Sequence, residues 1–205
     1  MNRPIGQAGL ALIQKWEGCR LEAYKPVPTE EHWTIGWGHY GPDVKQGDRI
    51  TQEEADALLV ADCQRFANAV DNPVYVPLTA QLNDNQRDAL ISFAFNCGEG
   101  NLQTLCANRS LQQIRDAMAK YTLSGGKSLL GLERRRADEQ KLFDTPVVEK
   151  KDNTPAAYAE EAVEWAVANG ILQGDTTGNL KLTEPCTRQQ MVTFLYRFAK
   201  QIGEA

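Results

Sequence analysis

The segment Trp16-Glu17-Gly18-Cys19-Arg20-Leu21-Glu22-Ala23-Tyr24 is followed, after nine residues, by Thr34-Ile35-Gly36-Trp37-Gly38-His39. These residue types at this spacing fit acid catalysis on a sugar chain. Cleaving a glycosidic bond takes a carboxylic acid to protonate the leaving oxygen and, as a rule, a second group to handle water or the oxocarbenium charge. Glu17 suits the first task. It falls at the end of an apolar helix, where the negative end of the helix dipole favours the protonated form a general acid needs. Trp16, Cys19 and Leu21 add desolvation. Position alone fits an ordinary exposed glutamate in a last helical turn better.

The elements that must hold these groups follow from pattern. Ile5, Leu12, Ile13 and Trp16 recur on one helical face, and Gly18 supplies the stop. Residues 21 to 40 have strand character around a Pro26-Val27-Pro28 bend, with Gly36, Gly38 and Gly41 marking sharp bends or close backbone approach. Thr51-Gln52-Glu53-Glu54 and Ser110-Leu111-Gln112-Gln113 are capping boxes that open helices. Asn83 to Cys97 is apolar nearly all round its second half, which places that helix at the centre of a core. A helix over about Leu129 to Phe143 carries Arg134-Arg135-Arg136, which cannot all face one way.

With 205 residues, 42% hydrophobic and 24% charged, the chain holds one domain plus a small appendage. A net charge of -5 argues against a nucleic-acid partner. No apolar run reaches the ~20 residues that span a bilayer, so no stable membrane insertion is expected. Met1 to Gln7 has neither an apolar core nor a cleavage site, so no signal peptide is expected either. Five cysteines, an odd count, read as reduced and mostly buried thiols. His32 and His39 are the only histidines and sit in no Cys/His cluster, so neither metal nor cofactor is expected.

The Glu17-to-Tyr24 context, Thr34 to His39, Asn85-Gln86 through Gly98, and Gly131-Leu132 through Phe143 come in the order of one family. Over about the first 140 residues the chain resembles the phage-type lysozymes, the endolysin family of the T-even phages (glycoside hydrolase family 24). The resemblance implies an α+β, mostly α, two-lobed fold with a small β-hairpin lobe. It implies hydrolysis of the β-1,4 bond between N-acetylmuramic acid and N-acetylglucosamine in peptidoglycan glycan strands, by an inverting mechanism, with Glu17 as general acid and Thr34 positioning the water. The family places an aspartate between them. Here the corresponding positions are Pro26 and Pro28, and the Glu17-to-Thr34 span is two residues longer than the family's. Glu30, Glu31, Thr29 and His32 are the polar replacements. A regular return strand puts Glu30, His32 and Thr34 on one face and selects Glu30, whereas a bulge selects Glu31. The same residues also fit a solvated hairpin tip. Trp33, Trp37, Tyr40 and Phe95 fit a sugar-stacking groove or plain core packing, and His39 orients the local structure at the same substrate-binding edge.

Asp144 to Thr154 reads as a linker, giving a catalytic domain over 1–144, a linker over 145–153 and a module over 154–205. Thr154-Pro155 is expected to open a helix, and Thr187-Arg188-Gln189-Gln190 a second, with Gly170 between them. Trp165-Ala166, Gly170-Ile171 through Gly174, Pro185 and Thr187-Arg188 resemble one S-layer homology module. That resemblance implies binding to an anionic secondary polymer of Gram-positive walls, with Arg188 on its acidic groups. The oligomeric state stays open. Together the readings imply an endolysin that accumulates in the host cytoplasm and is released to the wall by a holin. The alternatives are a lytic transglycosylase using Glu17 alone and an inactive wall-binding protein.

Overall fold

The computed structural model describes residues 3–124, 126–147 and 151–203. The chain divides into two compact units, Met1–Val147 and Val148–Ala205. Residues 148–150 of the expected linker lie outside the described residues.

The first unit is mostly helical. Helix α1 (Gln7–Glu17) leads into a three-stranded antiparallel sheet of β1 (Arg20–Tyr24), β2 (Trp33–Gly36) and β3 (His39–Gly41). Helices α2 (Gln52–Val70), α3 (Asp84–Cys97), α4 (Glu99–Cys106) and α5 (Leu111–Met118) follow. A two-stranded hairpin, β4 (Leu123–Ser124) and β5 (Lys127–Ser128), precedes α6 (Leu130–Asp144). The sheet has one strand more than a hairpin because Gly36 and Gly38 adopt positive φ and turn the chain at Trp37. Such φ values are cheap only for glycine.

Helix starts obey local chemistry. Thr51, Asn83 and Ser110 each accept from the backbone N–H three residues on, while the Glu or Gln there accepts from the cap's own N–H. Burial arranges the rest. Residues Arg87 through Ala94 of α3 are all buried, and α3 packs on α1, α2, α4 and α6. The main core gathers Ile13, Leu59, Phe66, Leu90, Phe93, Leu102 and Ile114, among others. A second, small core of Ala23, Ile35 and Val44 lies under the sheet, with Leu58 of α2 against it. α2 thus joins two cores, the physical basis of a two-lobed α+β fold.

The start of α1 is fixed through α3. Asp88 accepts from the N–H groups of Gly6 (2.9 Å) and Gly9 (3.0 Å), two donors with no partner inside the helix. Buried Arg87 grips Asp71 with two bonds of 2.7 and 2.8 Å and donates to the carbonyl of Pro4 at 2.9 Å. The helix end that carries Glu17 is therefore set by a rigid rod anchored at its far end.

The second unit holds α7 (Glu160–Ala168) and α8 (Arg188–Gln201). Thr187 caps α8 as the sequence indicates. Thr154-Pro155 does not open a helix: a 3-10 turn over Ala157–Ala159 comes first, and α7 begins at Glu160. Ile171 is the one buried apolar residue of this unit among the described residues. Its long loop is organised by polar bonds instead, with Asp175 accepting from the N–H groups of Thr177 (2.8 Å) and Asn179 (3.2 Å).

All five cysteines are free, but only Cys63 and Cys106 are buried, fewer than expected. Burial pushes both of those thiols up to about 12, so they stay protonated packing groups. Among the described residues no helix is long and apolar enough to cross a membrane, and no group of three His, Cys, Asp or Glu is arranged to hold a metal.

Candidate active site

Glu17 is the last residue of α1, and Gly18 leaves the helix with φ 69°. Its side chain is 25% exposed and accepts from Nη1 of Arg135 at 2.6 Å. Arg135 comes from α6, more than a hundred residues on, and is itself buried. The triplet divides accordingly: Arg134 faces solvent, while Arg135 and Arg136 turn inward. Behind them Glu139, fully buried, forms a 2.9 Å ion pair with Nε of Arg136 and lies 3.4 Å from Nε of Arg135. Ser92 of α3 donates to Glu139 at 2.9 Å, and Arg136 donates to Asn96 at 2.9 Å.

The arginine triplet stands out in the sequence, but its partners do not. The spacing did hold a signal, since Glu139 stands four residues after Arg135 and three after Arg136 on one helix. Nothing local pairs Arg135 with Glu17, because that contact exists only once α1 and α6 pack. Trp16 beside it donates from its indole to Asp138 of α6 at 3.1 Å, a second tie between the same two helices.

The return from β1 to β2 is not a regular strand. Residues 25–32 form a loop, β2 begins only at Trp33, and the β1–β2 register shifts between Arg20 and Tyr24. The alternation that selects Glu30 over Glu31 therefore does not reach either residue, because alternation needs a continuous pleat. What distinguishes Glu30 is burial. Its Oε2 is enclosed without a hydrogen-bond partner, while Lys25 donates to its backbone carbonyl at 2.7 Å. Glu31 is exposed.

Thr34 is buried in β2, opposite Tyr24 on one side and Tyr40 on the other. Tyr40 is half exposed, and its hydroxyl accepts from the N–H of His32 at 3.2 Å. Tyr40 and Phe95 line one cleft of about 400 Å3 together with Gly38, Asp62, Arg65 and Phe66. Trp37 is held elsewhere: its indole donates to Asp56 at 2.7 Å and its ring packs on the main core.

His39 is clamped by two carboxylates. Nδ1 lies 2.9 Å from Asp62 and Nε2 3.0 Å from Asp43. Burial pulls the imidazolium down, but hydrogen bonds to Asp43 and Asp62 outweigh it, so His39 titrates above its ordinary value. With both ring nitrogens engaged, His39 ties β3 to Asp62 of α2, a residue that lines the cleft. Arg188, at the start of α8 in the second unit, is exposed.

A phage lysozyme family model matches residues 14–139, and an S-layer homology domain model matches residues 151–192. An endolysin of Bacillus phage PZA is 44% identical over 146 residues, covering 69% of this chain and 55% of that protein. An endolysin of Lactococcus phage c2 is 45% identical over 144 residues, covering 70% of this chain and 61% of that protein. The chain thus spans 55% to 61% of the length of these relatives. Among solved structures, the muramidase domain of SpmX from Asticaccaulis excentricus superposes with a TM-score of 0.60 at 37% identity, covering 69% of this chain and 98% of that one.

Proposed function

The chain belongs to the phage lysozyme family, and on that premise we propose that it is an endolysin that hydrolyses the β-1,4 bond between N-acetylmuramic acid and N-acetylglucosamine in peptidoglycan. The observation that carries the reading is Glu17 at the end of α1, partly shielded and oriented by the buried Arg135. Glu17 protonates the glycosidic oxygen as the bond breaks. Arg135 holds the carboxyl in one rotamer and faces the negative charge that appears on it once the proton has gone.

Water then attacks the oxocarbenium-like carbon from the opposite face. The Thr34 hydroxyl positions that water, and Glu30 is the second carboxylate, supported by its enclosed and unpartnered Oε2. Inversion requires the two carboxyls to stand ~6.5–9.5 Å apart, with room for the water between them. Tyr40 and Phe95 give sugar faces an apolar wall within one cleft, and His39 stiffens its edge through Asp62; Trp37, packed on the main core, is not part of that wall. Glu17→Gln should lower the rate of clearing of a purified cell-wall suspension at least ~100-fold with the helical signal unchanged. Unaltered clearing removes Glu17 from the role.

One observation favours a second reading. The loop over residues 25–32 contains no aspartate, and a lytic transglycosylase needs only one acid because the sugar's own 6-hydroxyl attacks. Mass spectrometry of digested peptidoglycan separates the two. Reducing muramic acid ends mark hydrolysis, and 1,6-anhydro ends, lighter by one water, mark the transglycosylase.

The chain is organised as a catalytic domain over 1–144 and a wall-binding module over 154–205, supported by the two family matches. The module binds an anionic secondary polymer of Gram-positive walls, with Arg188 offering a bidentate fork to its acidic groups. The protein is made in the host cytoplasm and meets the wall after a holin opens the membrane. Arg188→Gln should weaken pull-down by purified walls while leaving cleavage of soluble glycan fragments intact.

A further inference from the structure

The first unit keeps charge in its interior where packing alone would use hydrocarbon. Glu139 has no exposure at all and meets Arg136, Arg135 and Ser92. Replacing a buried ion network with apolar residues is often neutral or stabilising, so stability alone gives little reason for one. This network has an outlet: Nη1 of Arg135 reaches Glu17 at 2.6 Å, while its Nε faces Glu139 at 3.4 Å. One guanidinium therefore spans a buried carboxylate and the proposed acid.

We propose that Glu139 is a positioning residue for the reaction: its carboxylate fixes the Arg135 fork and takes up part of its charge, so that Arg135 orients Glu17 and still lets it carry a proton. The inference rests on Glu17 being the acid. An Arg135 without Glu139 would spend its full charge on Glu17 and hold it as a carboxylate, the form that cannot protonate a leaving group. Ser92 belongs to the same device, since its hydroxyl donates to the Glu139 oxygen that faces Arg135. Burial pushes the Glu139 carboxyl up, against the pull of Arg136, Arg135 and Ser92. The charge on Glu139 is accordingly the quantity the device depends on. The charged groups that meet it are Arg135 and Arg136 on its own helix, with the Ser92 hydroxyl of α3 bonded to it; beyond the arginines stand the titratable Cys97 on α3, bonded to Arg136, and Glu17 on α1, bonded to Arg135.

The test is the pH profile of wall clearing by the unaltered full chain and by its Glu139→Gln variant, compared at the same pH values. Glutamine keeps the shape and removes the charge. The alkaline limb, where protonated acid runs out, should move about one pH unit towards acid, which reads as roughly tenfold slower clearing on that limb. The rate on the acid side should change little. Ser92→Ala, which keeps the carboxylate but removes one bond to it, should shift the limb the same way by less, and it serves if Glu139→Gln does not fold. Folded variants whose alkaline limb coincides with that of the unaltered protein overturn the proposal. So does a uniform loss at every pH, the mark of a merely structural role. Glu17→Gln in the same series keeps the two readings apart. If it still clears walls, the acid is misassigned; if it is inert while Glu139→Gln leaves the limb in place, only the positioning role falls.

Discussion

The two units use the same local chemistry and reach different ends. Thr51, Asn83 and Ser110 in the first unit and Thr187 in the second all close reciprocal capping boxes. In the first unit the capped helices then bury whole faces, and α3 has eight consecutive buried residues. In the second, α7 and α8 bury none, and Trp165, Leu195, Tyr196 and Phe198 stay substantially exposed. Capping decides where a helix begins. Only long-range burial decides whether it is held, because each buried aliphatic or aromatic side chain contributes about 1.5–3 kcal/mol and a cap about 1.

The strongest way to sharpen this contrast is to damage one core and watch the other. Leu102→Ala, at a fully buried position of α4, should cost the first unit about 3 kcal/mol. Hydrogen exchange across a urea series should show that loss in residues 3–124 and 126–147 and none in 151–203. A single transition that moves both units together would break the contrast.

A smaller effect compares equal local losses in unequal settings. Thr51→Ala and Thr187→Ala each remove a cap worth about 1 kcal/mol. The first should lower the melting temperature of its unit by a few degrees. The second should unravel the start of α8 near room temperature, seen as lost amide protection over residues 188–192. Equal protection losses in the two helices would show that the second unit has support its burial does not reveal.

The smallest effect tests the charged edge of the cleft. His39 titrates higher in the folded protein than unfolded, owing to Asp43 and Asp62. Its contribution is therefore complete below about pH 6.5 and is lost as pH rises through the folded value. Partial exposure keeps it under about 1 kcal/mol. Urea unfolding of the first unit between pH 6 and pH 8.5 should show this decline, and His39→Asn should flatten it. A decline of the same size in the variant would place its origin elsewhere.

Several features were legible because they depend on neighbours in sequence. The capping boxes and the Gly18 stop are settled within four residues, and the central place of α3 follows from its lack of a polar face. Thr154-Pro155 shows where such reading overreaches: the pair suits a helix start, yet the chain turns first and the helix waits for Glu160. The return strand is the same kind of case. Strand alternation does not run from Thr34 back to Glu30, because residues 25–32 lie in a loop, so Glu30 stands out by its enclosed Oε2 and not by parity.

The sequence by itself determined the family resemblance, the helix boundaries near their caps, and Glu17 and Thr34 as the residues to examine, since all of these are written in residue type and short spacing. The tertiary structure alone decided that Arg135 meets Glu17, that Asp62 holds His39, and that Tyr40 and Phe95 share a wall. Each of those contacts joins residues from separate elements, and charges far apart along the chain acquire their partners only when burial brings helix against helix.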